Sequence, residues 1–195
     1  MATPGKFDNE TFELTRQHID DFIHRTAELT KQQQLTGSLL EIGSQDRISI
    51  QDTFDNFNID TLDIVDTYNP TYIGDITKHN TKIPDSSYDC IACLEVLEHT
   101  LNPFSAITEL RRMLKEGGYL LVSAPLNWRI HGPVPDCWRF TEYGWRVLLK
   151  DFDIIEIDTL ETPDRPLFPI KYNILAKCNK SKNIAVEDLK FEYLK

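Results

Sequence analysis

The stretch that decides the fold runs from Pro84 to Asn127. It opens Pro84-Asp-Ser-Ser-Tyr88-Asp-Cys-Ile-Ala-Cys-Leu94-Glu-Val-Leu-Glu-His99 and closes Lys115-Glu-Gly-Gly-Tyr119-Leu-Leu-Val-Ser-Ala-Pro-Leu-Asn127. Tyr88 to Leu94 and Tyr119 to Ala124 are short, largely apolar runs, the first set off by a Pro-Asp-Ser-Ser turn, and both predict buried strands of a parallel sheet. A helix is expected between them. Asn102 can cap it, Pro103 suits its first turn, Ala106, Ile107, Leu110 and Leu114 give it an apolar face, and Gly117-Gly118 is the expected stop. A strand, helix, strand unit of this kind crosses over right-handed.

Working outward, Ser38-Leu-Leu-Glu41-Ile-Gly43-Ser44 reads as a first strand and its exit, Asn58 to Ile64 as a second, and Tyr72-Ile-Gly-Asp75-Ile76 as a third. Open parallel sheets bind ligands where strands end and their order reverses, and Gly43 lets a ligand approach the backbone closely. An acid at the end of the second strand can accept both hydroxyls of a ribose. Asp63, 20 residues after Gly43, has the separation for that role, with Asp60 and Asp66 as neighbouring competitors.

Glu95 to His99 and Met113 to Pro125 are similar, almost residue for residue, to the class I S-adenosylmethionine-dependent methyltransferases. There a strand ending Glu-Val-Leu-Glu-His leads to a helix and a Leu-Lys-x-Gly-Gly turn. The resemblance extends from about Gly37 to Leu160. It implies an α/β fold: a three-layer Rossmann-like sandwich around a mostly parallel seven-stranded sheet, the last strand antiparallel. Residues 37–178 would be the methyltransferase domain, 1–36 a helical extension and 179–195 a charged tail.

The resemblance also implies a cofactor site for S-adenosylmethionine, drawn from Glu41, Gly43, Ser44, Asp63, Ile64, Asp75, Ile76, Cys93 and Glu95. Asp75 would accept from the adenine amine and the Ile76 N–H would meet a ring nitrogen; the competing reading is an Asp that caps its own turn. The family's loop carries three glycines, whereas Glu41-Ile-Gly43-Ser44-Gln-Asp46-Arg keeps the first alone. A nicotinamide dinucleotide is disfavoured by the same residues, because a pyrophosphate wants several glycines and no Asp46.

After Pro125 the segment His131-Gly-Pro-Val-Pro-Asp136-Cys137-Trp138-Arg139-Phe140-Thr141 is too rich in Pro and aromatics for a regular element. It resembles a His-x-x-Pro-x-Asp-Tyr-Trp-Arg-Phe-Thr segment of one branch of the family, with Cys137 replacing the tyrosine. We expect the acceptor here, with His131 and His99 as candidate proton acceptors; the competing reading is that Trp138 and Phe140 are core residues and Arg139 pairs with a nearby carboxylate. Glu95, Glu98 and His99 at helical spacing, joined by His131, could hold a divalent metal; the competing reading is that they order the helix start. Thr141 caps a helix from Glu142 to Lys150 with Trp145, Leu148 and Leu149 inward. Phe152 to Leu160 and Tyr172 to Cys178 read as closing strands joined by a proline-rich connection.

Upstream, Phe12, Ile19, Phe22, Ile23 and Ala27 space an amphipathic helix over Asn9 to Gln34, with His18 and His24 expected in solvent. It packs on the sheet, lids the cofactor, or binds a partner. Cys90 and Cys93, three apart on a strand, should face opposite ways as small buried residues rather than a redox or zinc pair.

The net charge of -10 argues against non-specific nucleic-acid binding. No apolar run approaches membrane-spanning length, so we expect no membrane and a cytoplasmic location. The resemblance implies a small-molecule acceptor as partner, in particular a sugar or glycan precursor. The rivals are a degenerate cofactor-binding domain and a metal-dependent RNA 2′-O-methyltransferase, the latter requiring Arg111, Arg112, Arg129 and Arg139 to gather on one surface.

Overall fold

The computed structural model describes residues 3–43 and 50–192. A helix, α1 (Lys6–Gln32), is followed by β1 (Gly37–Ile42), a one-turn α2 (Ile50–Thr53), β2 (Phe57–Asp63), β3 (Tyr72–Ile73) and β4 (Tyr88–Leu94). Then come α3 (Pro103–Met113), β5 (Leu114–Pro125), α4 (Glu142–Leu148), β6 (Phe152–Thr162) and β7 (Arg165–Cys178). The seven strands lie in the order β3-β2-β1-β4-β5-β7-β6; β1 to β5 pair in parallel and β7 runs antiparallel to both neighbours.

Strand alternation divides the core. Leu40, Ile42, Ile91, Cys93, Leu120 and Val122 face one cluster with α3 and α4, whereas Leu39, Cys90, Ala92, Tyr119 and Leu121 face the other with α1 and α2. Cys90 and Cys93 therefore sit in different cores, as their spacing requires, and burial pushes both thiols up.

The helices follow the sequence signals at their starts. The Asn102 carboxamide accepts from the Ser105 N–H at 3.1 Å and the Thr141 hydroxyl from the Gly144 N–H at 3.2 Å. Inward on α1 are Ile19, Phe22, Ile23 and Ala27; each large one contributes about 1.5–3 kcal/mol by leaving water. Phe12 is an exception, 46% exposed beside a surface cavity. His18 is not in solvent: its Nε2 lies 3.0 Å from Asp158 Oδ1 and its Nδ1 is 2.9 Å from the Asn173 amide.

Two boundaries differ from the sequence reading. Helix α3 ends at Met113, before the glycine pair, because Leu114 already pairs with Tyr88. Gly117, at φ +72°, serves a bulge inside β5. The proline-rich connection is also strand: β6 and β7 extend to a tight turn at residues 163–164, with register shifts accommodating Pro166 and Pro169.

Beyond β7 the chain is tied back to the domain. Arg111 donates to the carbonyls of Asn179, Lys180 and Lys182, and Phe191 meets Tyr143 edge-on.

Candidate active site

Strand order reverses between β1 and β4, and a cavity of about 270 Å³ opens there at the strands' carboxyl ends. Gly43 sits at its base with φ +70°, and a Cβ there would come within 2.8 Å of Val96. Backbone bonds from Gly43 N–H to Leu62 O and from Gly74 N–H to Asp63 O, both 2.9 Å, hold three strand exits together.

On this wall stand Asp63, Ile64, Asp75, Ile76, Glu95 and His99, all singled out from sequence. Asp63 accepts from the Val65 N–H through Oδ1 at 3.0 Å. Asp75 Oδ1 accepts from the Thr77 N–H at 2.8 Å and the Thr77 hydroxyl at 2.7 Å. Each acid thus caps its own turn with one oxygen; among the described residues the second oxygen of each accepts no hydrogen bond. The competitors are placed elsewhere. Asp60 accepts from the Tyr88 hydroxyl at 2.8 Å, which with burial pushes that phenol up, and Asp66 is exposed outside the cavity wall.

Glu41 and Cys93 lie on the strands that carry the wall and are not part of its lining; Cys93 is wholly buried. The cavity is also lined by Val96, Thr77, Leu101, Pro133 and Pro135, which the sequence reading passed over. Ser44 and the rest of the glycine-poor loop to Ser49 lie outside the described residues.

After β4 the chain turns sharply. Glu95 adopts φ +58° and only Leu97–His99 form a short 3₁₀ turn, so the helical spacing expected for Glu95, Glu98 and His99 does not exist. Glu95 leaves the group: its Oε1 accepts from the Ser123 hydroxyl at 2.7 Å and pairs with Lys171 Nζ at 3.0 Å. Glu98, His99 and His131 do come together, with ligand-capable atoms within 4.8 Å of one another.

The loop after β5 is sewn onto this turn. The N–H groups of Cys137 and Trp138 donate to Glu98 O, and the Trp138 indole donates to Thr100 O at 2.9 Å. His99 Nδ1 lies 3.0 Å from Pro135 O, a group that only accepts, so Nδ1 carries the proton and Nε2 faces Glu98 at 3.8 Å. Burial holds His99 below its ordinary value. His131, its ring 4.9 Å from that of His99, pairs through Nδ1 with Asp136 at 3.1 Å. Asp136 also takes both Nη groups of Arg139, which hold its carboxyl far below the usual range. Trp138 stacks on Phe140, and Phe140 packs on Trp145. The Trp-Arg-Phe segment is thus largely framework.

The four arginines of the RNA alternative do not form a free basic surface. Arg111 binds tail carbonyls, Arg112 pairs with Glu109 and Asp85, Arg129 approaches Asp8 at 3.8 Å, and Arg139 holds Asp136. Among the described residues no helix is long and apolar enough to cross a membrane.

The residues missed from sequence lie across Glu95 from this wall. Lys171, 2% exposed, together with Phe12, Arg16 and Trp128, lines a second cavity of about 170 Å³ beneath α1. The available signal was a lysine set in the apolar strand Ile170-Lys171-Tyr172.

A parallel sheet with an antiparallel β7, and acids at the ends of β2 and β3, defines the class I methyltransferase architecture. Residues 12–157 match the family model of a methyltransferase domain, and the chain belongs to that family. Among curated proteins it is 38% identical over 56 residues to a ubiquinone biosynthesis O-methyltransferase of Glaesserella parasuis serovar 5 (strain SH0165), covering 29% of this chain and 24% of that protein. It is 40% identical over 53 residues to an uncharacterized 37.1 kDa protein in transposon TN4556 of Streptomyces fradiae, covering 27% of this chain and 15% of that protein. The chain thus spans a quarter or less of the length of these relatives.

Among solved structures, an S-adenosylmethionine-dependent methyltransferase of Methanosarcina mazei superposes with a TM-score of 0.55 at 18% identity, covering 73% of this chain and 92% of that one. Another from Aquifex aeolicus gives 0.56 at 15% identity, covering 77% and 88%. These share its fold.

Proposed function

We propose that the chain transfers a methyl group from S-adenosylmethionine to a small-molecule acceptor. The observation that carries this reading is the pair Asp63 and Asp75, facing one cavity at the sheet's switch point with an oxygen of each unspent within the described chain. Asp63 would take the ribose hydroxyls and Asp75 the adenine amine, with Ile64 and Ile76 against the ring. Gly43 gives the methionine end close approach, while Glu41 and Cys93 serve through the strands they stand on. When bound, the cofactor supplies an electrophilic methyl group on sulfur. The protein's part is to align a nucleophile in line with it and exclude water. His99, neutral near pH 7 and backed by His131, is the group placed to take a proton from the acceptor. A sugar or glycan precursor is the acceptor class suggested by the sequence resemblance.

Calorimetry with S-adenosylmethionine and S-adenosylhomocysteine tests the reading. Both should bind, and Asp63→Ala should weaken binding by about 1.5 to 3 kcal/mol, the range for hydrogen bonds to a charged group. Binding of neither compound overturns it. Binding without transfer to any acceptor supports the degenerate-domain alternative.

A second reading of the same turn is favoured by the closeness of Glu98, His99 and His131. One carboxylate and two imidazoles, each with Nδ1 engaged by an oxygen, fit a divalent ion of mixed oxygen and nitrogen preference. Such an ion would polarise the acceptor oxygen. The two readings use His99 differently, and activity lost to a chelator and restored by metal decides for the ion.

A further inference from the structure

The cavity beneath α1 meets the cofactor cavity at one side chain, Glu95, which lines both. We propose that this second cavity is the acceptor site, that it takes a ring-sized compound bearing a hydroxyl group, and that Lys171 positions Glu95 to orient that hydroxyl toward the methyl group. The proposal rests on the methyltransferase reading above. It moves the acceptor away from the Trp138 segment, whose groups are spent on the framework.

Size comes first. A volume of about 170 Å³ is room for roughly six waters at ~30 Å³ each, hence for one ring with its substituents. The lining matches such a compound. Phe12, Ile19, Pro125 and Trp128 give apolar and aromatic faces for the ring, with Arg16 and Asp20 as polar groups for substituents.

Glu95 is held as a rigid acceptor. Its N–H donates to the Ser123 hydroxyl at 3.1 Å, that hydroxyl donates back to Oε1 at 2.7 Å, and Lys171 meets the same oxygen at 3.0 Å. Fixing Oε1 from two sides sets the plane of the carboxylate. A carboxylate only accepts, so the partner it orients must carry a donor hydrogen, as a hydroxyl does. Lys171 itself is 2% exposed, on a strand between Pro125 and Leu160. A cation buried to that degree is costly unless its partner needs it. In the reaction the acceptor oxygen forms the new bond to the methyl carbon as the carbon–sulfur bond breaks. The bonding pair returns to sulfur, leaving S-adenosylhomocysteine, and the hydroxyl proton leaves to the Glu95 carboxylate to which it already donates.

The probe is a panel of simple phenols and cyclic alcohols incubated with methyl-labelled S-adenosylmethionine and the full chain, with S-adenosylhomocysteine affinity measured in parallel. At least one member should be methylated. Thr15→Trp, which fills the cavity from α1, should raise KM for that compound at least tenfold and leave S-adenosylhomocysteine affinity within threefold. Lys171→Met should instead lower kcat at least tenfold, and Lys171→Arg, which keeps the charge, should recover part of it; a merely structural lysine would not give this split. Tight S-adenosylhomocysteine binding with no methylated panel member overturns the proposal and leaves the methyltransferase reading standing. So does methylation indifferent to Thr15→Trp. Failure to bind S-adenosylhomocysteine removes both readings.

Discussion

Acids at the two ends of the sheet are used in different ways. At the β1–β3 end, Asp63 and Asp75 each spend one oxygen on a neighbouring turn and keep the other toward a cavity. On the loop after β5, Asp136 is clasped by Arg139 and His131, and at the antiparallel end Asp158 is clasped by Arg25 and His18. A carboxylate satisfied by its own chain's donors is framework, whereas one half-satisfied beside a cavity is available to a ligand. Glu95 stands between the two kinds, held by Lys171 yet exposed to two cavities.

Glu109 is the sharpest test, because it lies near the β1–β3 end, joined to Asp75 through Asn80, and is satisfied. It takes Arg112 Nε and Nη2 at 2.8 Å each and the Asn80 N–H at 2.7 Å, and Asn80 in turn donates to Asp75 O. These bonds hold its carboxyl at about 2, against an ordinary 4.5, although burial alone would raise it. Arg112→Met should therefore cost about 3–5 kcal/mol of stability, the usual penalty for leaving a buried charge unpaired. Cofactor affinity of the folded protein should change far less. The sign of the pH effect follows from the depressed value: the contribution is complete above pH 4.5 and is lost as pH falls toward 2. Urea unfolding at several pH values checks it, since across that window the wild-type chain should lose about 3 kcal/mol more than the variant, which keeps the other depressed carboxylates. A variant that keeps its stability but loses the cofactor would break the distinction drawn between the two kinds of acid.

Next in size is His131→Ala. His131 is absent from the wall of the switch-point cavity but abuts His99, which is on it. Cofactor affinity should stay within about 0.5 kcal/mol, while turnover should fall about a hundredfold if the pair accepts the proton. Equal loss of both in paired calorimetric and kinetic measurements would make His131 a support of the cofactor wall.

The positions of the strands, the caps at Asn102 and Thr141, and the placement of Asp63 and Asp75 were legible because they depend on local rules: apolar runs, turn residues and fixed separations. What escaped depended on contacts far apart in sequence. Glu95 left its expected group because Lys171, 76 positions on, and Ser123 draw it the other way. His18 looked like a solvent residue because its partners, Asp158 and Asn173, lie more than a hundred residues downstream. The Trp138 loop stood open between an acceptor surface and framework, because aromatics and arginine suit either. Only packing shows Trp138 bonded to Thr100 and Arg139 spent on Asp136. The helix stop at Gly117 failed for a local reason, since strand pairing at Leu114 began first.

The smallest expected effect tests how much the saturated acids at the antiparallel end contribute. Arg25, on α1, donates to Asp158 Oδ2 at 2.8 Å and Glu156 Oε1 at 3.1 Å, joining the helix to β6. Its side chain is 49% exposed, so water screens both pairs, and Asp158 keeps His18 as a second partner when Arg25 is removed. Exposed pairs of this kind are worth about 0.2–1 kcal/mol, and the packed stem of the side chain adds a little. Arg25→Ala should therefore lower stability by about 0.5 to 1 kcal/mol in urea unfolding, and the loss should shrink as salt is raised, because screening weakens what is being removed. A salt-independent loss of about 3 kcal/mol would show that the acids of β6 anchor α1 as firmly as Glu109 anchors the turn at Asn80. The two ends of the sheet would then differ only in which of their acids still has an oxygen to offer.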